Sequence, residues 1–269
     1  MERYICETCG MQYENSAVPP SQCKICNEER QYINPMGQSW TTLECMMKGA
    51  PYKNWIAEDE EEIHSIVTKP SFAIGQTAYL VREKGFNLLW DCITYIDPTT
   101  IEEIKDLGGV DAIAISHPHY YASQVEWADA FNADIYIHED DRQWVTRQSE
   151  KIIFWSGQSI ELHEGLILHK LGGHFKGATV LECQKGIIFS GDIVRVTPDF
   201  HWVTFMYSYP NFIPLPASTI QRMADYLNGI NYYRIYDAFH RIIKEDADEK
   251  VQKSAQRYID ALNGNFFST

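Results

Sequence analysis

The sequence lacks any apolar run long enough to cross a lipid bilayer, and its first residues, Met1 to Cys6, contain no signal-peptide core. We therefore expect a cytoplasmic protein with no membrane partner. Positive charge is also scarce: 23 lysine and arginine residues against 37 aspartate and glutamate residues give a formal net charge of -14 at pH 7. Because so acidic a surface repels phosphate backbones, we expect no nucleic-acid partner.

Cysteine is present in a pattern that indicates metal rather than disulfides. Four of the seven cysteines form two Cys-x-x-Cys pairs. In a reducing compartment, each pair can aim two thiolates at one ion, and four thiolates make a closed tetrahedral site. The remaining three are scattered, so we expect ordinary buried thiols at Cys45, Cys92 and Cys183. The predicted ligands are Cys6, Cys9, Cys23 and Cys26.

The residues around these cysteines resemble a known small module. The segment from Arg3 to Tyr13, followed by Pro19-Pro20-Ser21-Gln22-Cys23, resembles the rubredoxin-like domain at the end of rubrerythrins. The match departs at Lys24 and Asn27, where that family has proline and glycine. We predict a rubredoxin-like or zinc-ribbon module over residues 1–36. Zinc is favoured over iron because so small a module needs metal binding to supply its folding energy, although four thiolates suit both metals.

The rest of the chain predicts a linker over residues 37–70 and a main domain over residues 71–269. In the main domain, strands with helices are followed by a run of short strands and then by helix, strand and helix. This order is typical of a layered α/β fold with sheets inside and helices outside.

Three places in the main domain put a metal-binding side chain just after a predicted strand. His117 and His119 follow the apolar run 110–115 and, on an extended backbone stiffened by Pro118, they point to the same side. His174 lies in a glycine-rich turn where the backbone can approach an ion closely, and Asp192 follows an apolar strand. Three imidazoles and one carboxylate at one sheet end would hold a divalent ion.

This order of motifs resembles the metallo-β-lactamase superfamily: a strand with His-x-His, then Gly-Gly-His, then Ser-Gly-Asp, over residues 71–269. Asp91 matches an early structural aspartate of that superfamily. The resemblance implies an αββα sandwich with metal at one edge of the two sheets. The superfamily pattern is His-x-His-x-Asp-His, whereas this chain has Tyr121 and Ala122 at the last two positions, which hold a second metal. The resemblance therefore implies one metal ion at most, held by His117, His119, His174 and Asp192.

The sequence allows two interpretations for each of the other residues near this site. Asp192 would ligate the ion or orient a water molecule. Tyr120 and Tyr121 would donate a proton or replace the lost ligand, or simply fill the volume of the second metal, which we favour. His240 lies about where the superfamily has its last histidine, and it is either a site residue or a surface histidine. A fold that has lost its metal is a further alternative.

The function that follows from these expectations is metal-dependent hydrolysis of a small ester, thioester or lactone by one zinc ion. One alternative is a mononuclear iron oxidoreductase similar to persulfide dioxygenases. Another is a non-catalytic metal-binding scaffold whose ribbon docks a partner. The sequence leaves open whether the chain forms a homo-oligomer.

Overall fold

The computed structural model describes residues 1–49 and 51–267. The chain divides into two compact units, Met1–Trp155 and Ser156–Thr269. Each unit is built around one large β-sheet that contains both parallel and antiparallel strand pairs.

The first unit contains a three-stranded and a seven-stranded sheet, in the orders β2-β1-β3 and β10-β9-β8-β7-β6-β5-β4. Its elements are β1 (Glu2–Cys6), β2 (Gln12–Ser16), β3 (Trp40–Thr41), α1 (Leu43–Gly49), β4 (Lys53–Glu60), β5 (Ile63–Lys69), β6 (Ala78–Glu83), β7 (Phe86–Trp90), α2 (Pro98–Asp106), β8 (Ala112–Ala114), a 3₁₀ turn (Pro118–Tyr120), α3 (Gln124–Phe131), β9 (Asp134–His138), a 3₁₀ helix (Glu139–Trp144) and β10 (Ile152–Trp155).

Helical crossovers explain why β7, β8 and β9 run parallel. Helix α2 connects the first two of these strands and α3 the next two. Asp97 caps α2 by accepting a hydrogen bond from the Thr100 amide at 2.8 Å, and Pro98 occupies the first turn. The carboxyl ends of parallel neighbours meet at one sheet edge, and this places Asp91, after β7, beside Ser116, after β8.

The predicted linker differs from the structure. Strand β3 pairs with β1, and β4 and β5 are strands of the seven-stranded sheet. The acidic run 57–62 includes the end of β4, which lies at the edge of that sheet. Charged side chains are usual on edge strands because they discourage pairing with other chains, and here they hid the strand signal.

The second unit contains a six-stranded sheet in the order β11-β12-β13-β14-β19-β20 and two small hairpins. Its elements are β11 (Ser159–His163), β12 (Leu166–Lys170), β13 (Thr179–Cys183), β14 (Ile187–Phe189), β15 (Arg195–Val196), β16 (Val203–Thr204), β17 (Met206–Ser208), β18 (Ile213–Pro214), α4 (Ala217–Leu227), β19 (Arg234–Tyr236), β20 (Ile242–Ile243) and α5 (Ala247–Leu262).

The two helices of this unit, α4 and α5, are amphipathic. Ile220, Met223 and Leu227 form the buried face of α4, and Val251 and Ala255 lie on that of α5. Within the described ranges, no helix combines the length and apolar character that a membrane span requires.

Candidate metal centres

The four predicted cysteine ligands come together in the first unit. One sulfur from each lies within 4.8 Å of the others, and all four residues are buried. The Cys6 and Cys26 sulfurs are 3.6 Å apart, and those of Cys9 and Cys23 are 3.5 Å apart. Tetrahedral zinc with bonds of about 2.3 Å to sulfur separates its ligand atoms by about 3.8 Å. The cluster therefore has the size of a tetrathiolate metal site.

Polar groups around the cysteines also suit a bound cation. The Gln38 amide donates to the Cys6 sulfur at 3.1 Å, and the Tyr13 hydroxyl donates to the Cys23 sulfur at 3.3 Å. Hydrogen bonds from Cys23 and Cys26 lower the pKa of Cys6, whereas burial raises the pKa of Cys9. The four thiols therefore cannot all ionise together without a positive charge among them. Gln38, which lies after the predicted module boundary at residue 36, therefore also contacts the cluster.

The His-x-His motif adopts a different backbone from the extended one that the sequence predicts. His117 is extended, with φ -169° and ψ 170°, but Pro118 begins a 3₁₀ turn that contains His119. The Tyr120 amide donates to the His117 carbonyl at 3.1 Å. The two imidazole rings nevertheless lie close, with centroids 5.2 Å apart. The expected proximity is present, and the turn rather than strand geometry produces it.

Asp91 and Ser116 fix the orientation of His117. The Asp91 carboxylate accepts hydrogen bonds from the Ser116 amide at 2.7 Å and from the Ser116 hydroxyl at 3.0 Å. Ser116 Oγ lies 2.9 Å from His117 Nδ1. Since the hydroxyl hydrogen points to the carboxylate, Oγ accepts from Nδ1–H, and Nε2 is then the basic nitrogen that can bind a metal.

His174 is oriented in the same way by a backbone carbonyl. Its Nδ1 lies 3.1 Å from the Met206 carbonyl oxygen, so Nδ1 carries the hydrogen and Nε2 is available as a ligand. The preceding Gly173 has φ 83°, and a Cβ there would lie 2.8 Å from Met223 Sδ. Glycine at this position is therefore required by its backbone conformation and by packing against Met223.

Asp192 lies in the turn that follows β14. Gly191, with φ 58°, accepts a hydrogen bond from the Ala238 amide at 2.7 Å. The Tyr209 hydroxyl donates to the Asp192 carbonyl oxygen at 2.8 Å. Asp192 Oδ1 lies 3.9 Å from His174 Nε2. A tetrahedral ion with bonds of about 2.1 Å has ligand atoms about 3.4 Å apart, so this pair is near the required spacing.

The four predicted ligands of the second site form one group. One ligand atom from each of His117, His119, His174 and Asp192 lies within 4.8 Å of the others, and all four residues are buried. Three imidazoles and a carboxylate are the donors that zinc and other divalent first-row metals accept. The residues present therefore fit a divalent cation.

The tyrosines and His240 occupy other positions. The Tyr120 ring packs edge-on against His117, with centroids 4.4 Å apart. Tyr121 is buried and its hydroxyl donates to the Asp141 carbonyl at 3.3 Å. Burial raises the pKa of Tyr121 well above its usual value, so the phenol stays protonated. His240 is exposed in a turn after β19, with φ 57°, and lies outside the four-residue group.

Sequence reasoning missed the residues that orient the ligands. Ser116 is adjacent to His117, and a hydroxyl beside a predicted ligand was a usable signal. Met206 and Tyr209 act through contacts that have no local sequence signature, because a backbone carbonyl can come from any residue. Cys45 was also predicted incorrectly: it is exposed on α1.

Comparison with known proteins identifies a relative over the whole length. No model of a known protein family matches the sequence. The uncharacterized protein YmaE of Bacillus subtilis (strain 168) is 54% identical over 274 aligned positions, which cover 100% of both chains. The chain belongs to the YmaE family.

The fold of this YmaE-family protein is the α/β sandwich of the metallo-β-lactamases. The DIM-1 metallo-β-lactamase exposed to ceftazidime matches 77% of this chain and 98% of its own, with a TM-score of 0.60 and 15% identity. The FIM-1 enzyme from Pseudomonas aeruginosa, in its mono-zinc form, matches 77% and 96%, with a TM-score of 0.56 and 16% identity. The fold class and the four-cysteine module predicted from the sequence are confirmed. The likeness of the module to rubrerythrins stays a prediction.

Proposed function

We propose that this YmaE-family protein is a metal-dependent hydrolase that acts on a small ester, thioester or lactone. The observation that carries the proposal is the group of four buried ligand atoms within 4.8 Å of one another, in a metallo-β-lactamase fold. Zinc is the ion we propose at the histidines and at the cysteines, with iron as the alternative at either. The cysteine site stabilises the fold.

A single ion at the histidine site accounts for the residues after His119. Tyr121 is a protonated phenol that donates to the Asp141 carbonyl, and Ala122 has no ligand atom. His240 is exposed. A second ion would need ligands at these positions. The FIM-1 enzyme, which shares the fold, has itself been crystallised in a mono-zinc form.

The proposed chemistry assigns one role to the ion and others to the chain. A zinc ion held by these residues would act as a Lewis acid and would lower the pKa of a coordinated water molecule to about 7. His117 and His174 present Nε2 because their Nδ1–H groups are occupied by Ser116 and Met206. Asp192 adds a negative charge and a hydrogen-bond acceptor that can orient the attacking water. Tyr120 packs against His117 and limits its movement.

The net charge narrows the substrate class. At a formal charge of -14, the protein would repel polyanionic substrates in solution, so a small neutral or weakly charged acyl compound is a better fit than a nucleic acid. The chemistry that a divalent ion would supply at these four residues suits acyl transfer to water.

The test combines metal analysis with a substrate panel. Protein with one zinc ion per histidine site should hydrolyse at least one ester, thioester or lactone, and His117→Ala should lose both this ion and the activity. His201→Ala is the matched control, because His201 is exposed in the second unit and outside the four-residue group. Full metal occupancy with no activity on the whole panel would refute the proposal. Iron as the ion retained by wild type at the histidines would favour the oxidoreductase instead.

A further inference from the structure

The four-cysteine module packs against two neighbouring loops, the one that follows β7 and the one that follows β8 and contains the histidine motif. The Thr94 hydroxyl, in the loop after β7, donates to the Gly10 carbonyl at 3.1 Å. A Cβ at Gly10 would lie 2.3 Å from Thr94 Oγ1, so the Thr94 side chain lies directly against the Gly10 backbone. On the other side, the backbone amide of Gln12 donates to the Ala122 carbonyl at 3.1 Å. The module therefore contacts the chain three residues after Asp91 and three residues after His119.

Gln12 is the centre of this contact. Its side-chain amide donates to Glu126 at 3.2 Å, and Arg147 donates to its side-chain oxygen and, at 2.6 Å, to Glu126. Its backbone carbonyl accepts from the Thr146 hydroxyl at 2.7 Å. Gln12 is buried, with 3% of its surface exposed. A buried polar network with these partners satisfied holds its members in one arrangement.

The loop that Gln12 contacts has a backbone conformation that needs support. Ala122 has φ 45°, in the left-handed region that alanine rarely adopts. Its carbonyl accepts a hydrogen bond from the Gln12 backbone amide, and the hydroxyl of the adjacent Tyr121 donates to the Asp141 carbonyl. Lys24, which follows Cys23, contacts the 3₁₀ helix that contains Asp141 (Glu139–Trp144), because its ammonium lies over the Trp144 ring at 5.5 Å from the centroid. The module therefore contacts both Ala122 and the 3₁₀ helix to which Tyr121 is hydrogen-bonded.

Metal at the cysteines would determine whether these contacts exist. Gln12 is three residues after Cys9, and the Cys6 amide donates to the Met11 carbonyl at 2.9 Å, so the ligand turn leads directly into the docking residue. A module of this size has little core of its own, and its folded state depends on metal binding. Loss of the ion would release the docking residue together with the cysteines.

We infer that the four-cysteine module is a clamp on the histidine loop, with Gln12 as a positioning residue for His117 and His119. An ion at the cysteines then raises the affinity of the histidines for their own ion. This coupling deepens the proposed function, since it assumes that the histidine group binds metal. By thermodynamic reciprocity, an ion at the histidines must also strengthen binding at the cysteines.

The decisive variant is Gln12→Ala in the full-length protein, because it removes the side-chain network without changing a ligand. Gln22→Ala is the matched control: Gln22 is exposed in the same module. Cobalt is titrated into each protein, since thiolate-to-cobalt charge transfer distinguishes cysteine-bound from histidine-bound metal. Hydrogen exchange of the amides of residues 115–127 is measured in parallel.

Gln12→Ala should weaken cobalt binding at the histidines by about tenfold and accelerate exchange in residues 115–127, with full occupancy of the cysteines. Gln22→Ala should leave both unchanged. Cys23→Ser should produce a larger effect of the same kind, and if it fails to fold, the comparison of the two glutamine variants still decides. Unchanged histidine affinity and unchanged exchange in Gln12→Ala would overturn the inference.

The two proposals fail in different ways. If the histidines bind metal but no substrate is hydrolysed, the proposed function is wrong and the clamp is still measured by affinity. If the histidines bind no metal in wild type, the coupling of affinities is refuted with the proposed function. Exchange in residues 115–127 then shows whether the clamp on the loop exists without that coupling.

Discussion

Asp91→Asn tests how the ligand state of His117 is set. The substitution keeps the size of the side chain, and asparagine tolerates the left-handed backbone at this position, where φ is 59°. One side-chain oxygen still accepts from the Ser116 amide. In the wild type, the other oxygen lies 3.0 Å from the Ser116 hydroxyl. In the variant, an NH₂ group takes its place and faces that hydroxyl. The hydroxyl hydrogen must then turn away from residue 91.

The cost follows from where that hydrogen can go. Ser116 Oγ is 2.9 Å from His117 Nδ1, so the hydroxyl can donate to Nδ1 and move the imidazole hydrogen to Nε2, the atom needed for metal. Restoring the ligand tautomer means losing the hydrogen bond that the Ser116 hydroxyl makes to a charged carboxylate, which costs about 1.5–3 kcal/mol. We therefore expect metal affinity at the histidines to fall by about tenfold to a hundredfold.

Two measurements check this expectation. Zinc affinity is determined by competition with a chromophoric chelator, and ring ¹⁵N chemical shifts of the metal-free protein report the tautomer of His117. Asp111→Asn is the matched control: the Asp111 carboxylate accepts from the Asn87 amide at 2.8 Å, beside the neighbouring strands β7 and β8. It should retain wild-type affinity and the wild-type tautomer.

The reasoning is refuted if Asp91→Asn binds zinc as tightly as wild type and His117 keeps its hydrogen on Nδ1. A loss of affinity with an unchanged tautomer would show that Asp91 acts through charge alone. Equal losses in both asparagine variants would mean that the effect is a general weakening of the sheet edge.

Three other substitutions give separate tests. Tyr121→Phe should cost about 0.5–1.5 kcal/mol in the free energy of unfolding, because it removes the hydrogen bond to Asp141, and should leave metal affinity unchanged; a large loss of activity with retained metal would instead give the phenol a catalytic role. Burial raises the pKa of Asp237 from 3.8 to about 6. The protonated carboxyl therefore stabilises the folded protein by about 3 kcal/mol below about pH 4, and this stabilisation is lost as the pH rises through 6. Asp237→Asn should remove this loss in urea unfolding of metal-free protein, and an unchanged pH profile would contradict the assignment. His240→Asn, which tolerates the backbone φ of 57°, should not change zinc affinity at the histidines, and a clear decrease would make His240 a ligand.

Local patterns in the sequence were sufficient to select both four-residue groups that the structure brings together. The spacing of the cysteines defines two turns that can share one ion, and the strand-end positions of His117, His174 and Asp192 follow from apolar runs with polar ends. Helix α2 was predictable from the Asp97 cap and Pro98. These features depend on residues close together in sequence, so one chain is enough to recognise them.

The errors occurred where neighbours in space replace neighbours in sequence. The acidic stretch 57–62 looked like a solvated linker, but pairing with β5 makes part of it an edge strand. The His-x-His backbone looked extended, but hydrogen bonds within residues 117–121 form a 3₁₀ turn. The packing of Gly173 against Met223, fifty positions away, could not be predicted from the glycine-rich turn itself.

The sequence by itself determined which atoms can bind metal, because the donor chemistry of cysteine, histidine and aspartate belongs to each side chain. Only the tertiary structure decided which nitrogen of each imidazole is basic, since Asp91, Ser116 and the Met206 carbonyl reach the rings through folding. It also decided that the cysteine module lies against the histidine loop, through Gln12 and Ala122, 110 positions apart in the numbering. Hydrogen bonds between distant segments leave no spacing pattern, and they are what give these ligands their orientation.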